Sequence, residues 1–132
     1  MKLGPALVMT PDLDAALAFY RDVLGLALSA QFENQLVFDL GGRSLHVFGC
    51  ARPAPEAEHG ADGGSVLSFE VEAIEPAMAE LTAKGVEFLH AQPAWNAQVG
   101  LAYAAFRAPG GIVHELLERR GIPPRQARVL AD

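Results

Sequence analysis

The sequence predicts an α+β fold built of paired βαβββ modules. Two observations carry that expectation: strand-like and helix-like runs follow one order twice, and glycines closing equivalent elements keep nearly constant spacing. A chain of 132 residues, 51% hydrophobic and 20% charged, is long and apolar enough to bury one core.

The first module spans residues 3–50. Leu3 to Thr10 is a short apolar run that fits a buried strand, and it stops at a helix-start signal, with Thr10 as N-cap, Pro11 at the first helical position, and Asp12 and Asp14 in the first turn. Leu13, Ala16, Leu17, Tyr20, Val23 and Leu24 then recur at helical spacing, and Gly25 supplies the stop. Three strand-like runs follow, Leu26 to Phe32, Gln35 to Leu40 and Ser44 to Cys50, parted by Glu33-Asn34 and by the Gly41-Gly42 turn.

Residues 51–64, rich in Ala, Pro, Glu and Gly without apolar period, read as a linker. The second module spans 65–118 and repeats the pattern. Ser65 to Glu72 is a strand; Ile74, Ala77, Met78 and Leu81 mark a helix face with Pro76 in its first turn and Gly85 as its stop. Val86 to His90, Leu101 to Arg107 and Ile112 to Leu117 complete the set, with a loop insertion between Ala91 and Gly100. Residues 119–132 form a basic C-terminal tail.

Gly25 and Gly85 are 60 residues apart, whereas Gly42 and Gly111 are 69 apart, so the insertion accounts for the difference. Under the second offset His46 and Glu115 are equivalent. Period-two alternation puts His46 on one strand face with Ser44 and Phe48, and Glu115 on one face with Val113 and Leu117.

Several function classes are excluded. The net charge is −6 and the tail is basic, so the remaining body is strongly acidic and repels phosphate backbones; no nucleic-acid partner is expected. The longest uncharged stretch, Phe88 to Phe106, is interrupted by polar residues and is no membrane span, and Met1 to Thr10 is too short for a secretory leader, so the cytoplasm is expected. Cys50 stands alone, so neither an intrachain disulfide nor a Cys-based zinc site is available. No GxGxxG, Walker, CxxC, HExxH or GxSxG motif occurs.

The repeated order, together with the segments Asp12-Leu13-Asp14-Ala15-Ala16-Leu17-Ala18-Phe19-Tyr20-Arg21-Asp22-Val23-Leu24-Gly25-Leu26 and Phe106-Arg107-Ala108-Pro109-Gly110-Gly111-Ile112-Val113-His114-Glu115-Leu116-Leu117-Glu118, resembles the vicinal oxygen chelate superfamily. That superfamily includes glyoxalase I, extradiol dioxygenases, fosfomycin resistance enzymes and bleomycin resistance proteins. The resemblance covers about residues 3 to 118 and is more specific for fold than for function. It implies curled mixed sheets forming a cup around a small-molecule site, commonly in a homodimer. In metal-dependent members the ligands come from the first and last strands of each half, which would fall near Pro5 and at His46 in the first half and near Val66 and at Glu115 in the second. Pro5 and Val66 carry no donor, and two side chains fall short of the three a catalytic divalent ion usually takes.

The expectation is therefore a binding protein of the glyoxalase/bleomycin-resistance type that sequesters a small aromatic or cationic compound without a metal cofactor. A role in antibiotic resistance would follow from the resemblance. The alternative is a superfamily enzyme, a lyase or dioxygenase, in which His46 and Glu115 hold a divalent metal or act as acid and base. A third reading is an interaction module that docks through its basic tail. Candidate ligand-binding residues are Trp95, Phe48, Phe38, Tyr103 and Phe106. Trp95 sits in Gln92-Pro93-Ala94-Trp95-Asn96, a segment similar to the drug-binding loop of bleomycin resistance proteins, where it would stack on a planar ligand. His114 alternates away from Glu115 and reads as structural.

Overall fold

Thr10 ends the first strand and does not cap the helix, as the sequence had suggested. In the computed structural model, which describes Met1 and residues 3–121, the cap is Asp12, whose carboxylate accepts from the Ala15 amide at 3.0 Å. Asp12 is the extended residue that can turn an acceptor onto the first helical turn, whereas the Thr10 side chain is fully buried with its hydroxyl 3.5 Å from the Pro109 carbonyl.

The first half runs β1 (Ala6–Thr10), α1 (Leu13–Leu17), a π-helical segment (Ala18–Val23), β2 (Ala27–Phe32), β3 (Gln35–Asp39) and β4 (Ser44–Gly49). The expected single α-helix thus loosens after its first turns, and Leu24 N–H reaches back five residues to the Phe19 carbonyl at 2.9 Å. Ala16 and Tyr20 remain buried four residues apart, with the Tyr20 ring 5.8 Å from that of Phe38. Gly25, at φ +76°, ends the segment in the left-handed region that favours glycine.

These strands form a mixed sheet in the order β1-β4-β3-β2, with β1 and β4 parallel and the other pairs antiparallel. Alternation gives it one closed face, carrying Val8, Leu36, Phe38, Leu45 and Val47, all buried. The compact unit built on this sheet comprises Met1–Gly64 and Ala108–Ile112. The short turn segment is held there by the Ala54 amide, which donates to the Gly110 carbonyl at 2.8 Å. Gly110 is needed for two reasons: its φ is +88°, and a Cβ would lie 3.0 Å from Thr10 Oγ1.

Among the described residues, the second unit comprises Ser65–Arg107 and residues 113–121. Its elements are β5 (Leu67–Glu70), α2 (Ile74–Ala83), β6 (Ala94–Asn96), β7 (Leu101–Arg107) and β8 (Val113–Arg119), and its sheet order, β5-β8-β7-β6, repeats that of the first. The parallel pair is β5 with β8. The α+β expectation of paired βαβββ modules is therefore correct.

One element differs from its expected place. Val86 to His90 makes only an isolated bridge, Phe88 to Phe106, flanked by the Leu89 amide on the Ala105 carbonyl and the Arg107 amide on the Glu87 carbonyl. The chain then leaves β7 through Ala91 to Pro93, where proline has no amide to donate, and returns as β6 in the stretch the sequence presented as an insertion loop. At the other end β8 runs on to Arg119, beyond the expected limit, and the part of the basic tail past residue 121 lies outside the described residues.

Candidate functional site

Strand register decides which of the candidate side chains share a surface. In the first sheet His46 pairs with Leu7 on β1 and Val37 on β3, and Phe48 pairs with Met9 and Gln35. Directly paired residues point to the same side of a sheet, so Leu7, Met9, Gln35, Val37, His46 and Phe48 occupy the face opposite the closed one. Phe32, paired with Gln35, extends it onto β2. This face is open: Leu7, Met9 and Phe32 are each more than half exposed, at 58%, 59% and 60%.

His46 is half-buried on that face, and its Nδ1 lies 3.1 Å from Gln35 Nε2. Its ring centroid is 6.3 Å from that of Phe48, in a tilted arrangement. The surface is thus largely apolar around the pair of His46 and Gln35, with Ser44 and Asp39 on the same face at the hairpin end, where Asp39 accepts from the Gly42 amide at 3.3 Å. A small molecule could bury apolar area there and satisfy one polar group at the imidazole.

In the second sheet Glu115 pairs with Ser68 on β5 and Ala105 on β7, while Tyr103 pairs with Leu117 and Ala94. Glu115, Leu117, Tyr103 and Ala105 therefore share a face. Glu115 is thus flanked across the sheet by a serine and an alanine. The Tyr103 ring meets His90 edge-to-face at 5.9 Å between centroids.

Three of the expected ligand-lining residues are placed elsewhere. Phe38 is fully buried against Tyr20, because its position on β3 alternates with Val37 and turns it to the closed side. Phe106 is fully buried among Phe69, Phe88 and His114, on the side opposite Glu115. Trp95 is 51% exposed but pairs with Ala102, so it points to the side away from Tyr103 and Glu115. Phe48 and Tyr103 lie on the same faces as His46 and Glu115 respectively.

Sequence reading did not single out Gln35, Leu7 or Met9. A polar residue opening a strand at Gln35, two positions before the partner of His46, was the available signal. His114 behaves as expected of a structural residue: it is buried between Phe69 and Phe106, and burial pushes its pKa down to about 4.

Two of the four positions at which the resemblance places metal ligands carry no donor side chain. Pro5 and Val66 lie outside β1 and β5 and carry no donor, and among the described residues no group of three His, Cys, Asp or Glu side chains could hold a metal ion.

Comparison with known proteins agrees with this architecture. No curated protein matches the chain significantly. Among solved structures, SMU.1112c is 25% identical with a TM-score of 0.76, covering 89% of this chain and 98% of its own. A glyoxalase family protein from Enterococcus faecalis is 25% identical with a TM-score of 0.73, covering 89% and 97%. Lactoylglutathione lyase from Agrobacterium tumefaciens, at 22% identity and a TM-score of 0.66 over 89% and 92%, shares the fold. The sequence model of one family matches residues 2–116, nearly all of the paired modules, and the chain belongs to that family, the glyoxalase/bleomycin resistance protein/dioxygenase superfamily.

Proposed function

We propose that this member of the superfamily binds a small aromatic compound on the open face of its first sheet and sequesters it without a metal. One observation carries the reading: a half-buried histidine, His46, stands with Gln35 among apolar neighbours on a face that leaves Leu7, Met9 and Phe32 more than half exposed. Apolar surface of that kind on one sheet face marks a binding surface. Superfamily membership supports a small-molecule ligand, and the missing donors at Pro5 and Val66 favour binding over metal-assisted chemistry. A homodimer, and service in antibiotic resistance, belong to the same proposal.

The test uses three naphthalene probes with one apolar body, the methylammonium, the carboxamide and the carboxylate, followed by saturation-transfer NMR. At least one binds the wild-type protein, and His46→Leu weakens it about tenfold or more, the loss of one hydrogen bond to a charged or strongly polar group. Equal binding by the variant removes His46 from the site.

The enzyme alternative keeps its own observation, the half-buried Glu115 carboxylate between Ser68 and Ala105. Elemental analysis of protein purified without chelator, repeated after titration with Ni, Zn, Mn and Fe(II), tests it. Retention of about one ion per chain, lost in both His46→Ala and Glu115→Ala, would replace the binding reading with the enzyme one.

A further inference from the structure

We infer that Gln35 fixes which nitrogen of His46 carries the proton, and so makes the open face of the first sheet selective for ligands bearing an acceptor oxygen, a carboxylate or a carbonyl, over cations. The inference rests on the binding reading above and names its ligand class.

The geometry is local to one hairpin. Gln35 opens β3 and pairs with Phe48, while His46 pairs with Val37, so the two side chains are diagonal neighbours on one face. The Gln35 amide nitrogen stands 3.1 Å from His46 Nδ1. An amide NH₂ only donates, so Nδ1 must accept, and the neutral ring then carries its proton on Nε2. The nitrogen left for a ligand is a donor.

The surroundings reinforce the choice. Leu7, Met9, Val37 and Phe48, which surround the pair on this face, offer no charge, and the carboxylate of Asp39, which pairs with Ser44 at the hairpin end of the same face, accepts from the Gly42 amide at 3.3 Å. An ammonium brought there would lose its hydration and meet an N–H, whereas a carboxylate or carbonyl oxygen would accept from Nε2–H. The sequence left aromatic and cationic ligands both open; this arrangement disfavours the cationic ones. Gln35 is a positioning residue in this account, acting through His46.

The test has a readout that needs no ligand. In ¹⁵N-labelled protein above neutral pH, long-range ¹⁵N–¹H correlation spectra of the His46 ring should show a pyrrole-type Nε2 and a pyridine-type Nδ1. Gln35→Glu, whose carboxylate accepts from Nδ1–H, should exchange the two; Gln35→Met, close in size but without the amide donor, should keep the packing and leave a mixture of the two tautomers, and a Gln35→Met ring as purely Nε2–H as wild type overturns the assignment of that role to Gln35. Against the naphthalene probes, wild type should prefer the carboxylate or carboxamide to the methylammonium by about tenfold, and Gln35→Glu should lose that preference.

A wild-type Nδ1–H tautomer overturns the inference, as does a preference that survives the exchange of tautomers. If the tautomer is as stated and no probe binds, the binding reading and the ligand class both fall, and only the Gln35 to His46 assignment stands. If the methylammonium binds best, the site reading stands and the selectivity falls.

Discussion

Two pairs of strand aromatics turn to opposite faces of their sheets. Phe38 and Phe106 are core, while Phe48 and Tyr103 lie on the faces that bear His46 and Glu115. Phe38→Ala should therefore cost about 3–5 kcal/mol in chemical denaturation, as expected for a buried ring, and leave probe affinity per folded molecule little changed. Phe48→Ala should do the reverse, losing probe binding with a smaller loss of stability. His114 adds a pH signature. It is buried neutral, with its pKa lowered to about 4 from 6.5, so the unfolded state binds the proton more readily. As pH falls below about 6.5 the unfolded state gains protons first, and folding should weaken by roughly tenfold in equilibrium constant per pH unit until about pH 4, beyond which this contribution is constant. His114→Phe should flatten that part of the profile; an unchanged slope would assign the acid sensitivity to other groups.

At the scale of elements, the amphipathic spacing of the first helix was legible, but its π-helical second half was not, because an i to i−5 bond leaves no mark in apolar periodicity. The fourth strand of the second sheet was misplaced for a related reason. Val86 to His90 has the better strand composition, yet Ala94–Asn96 is the part held by the β7 ladder. Helix α2 shows a third feature that local sequence does not reveal. Its N-cap residue, Ala73, has no side-chain acceptor, and the Ile74 amide donates instead to Glu118 of β8 at 2.9 Å. Arg120 binds both Glu118 and Glu75, at 2.8 Å to the latter, and holds the Glu118 carboxyl below its usual range. Glu118→Ala should speed hydrogen exchange at the first amides of α2 while leaving β7 protected; uniform acceleration across the second unit would mean the contact supports the sheet as a whole.

For the molecule as a whole, the duplicated architecture was readable because both halves repeat one pattern of alternation and glycine punctuation, and each folds to the same strand order. The equivalence of His46 and Glu115 was readable for the same reason, since each stands near the middle of the last strand of its half. What one strand pattern could not supply was its neighbours. Leu7, Gln35 and Ser68 reach these faces only through long-range pairing, and Trp95 turns away because of its partner on β7. The central claim is that the open face of the first sheet, around His46 and Gln35, is the ligand site. The most direct measurement is a ¹H–¹⁵N chemical-shift titration of assigned protein with 2-naphthoate. The account predicts perturbations at Leu7, Met9, Gln35 to Val37 and His46 to Phe48. Perturbations confined to Ser68, Tyr103 and Glu115, or to the vicinity of Trp95, would contradict it.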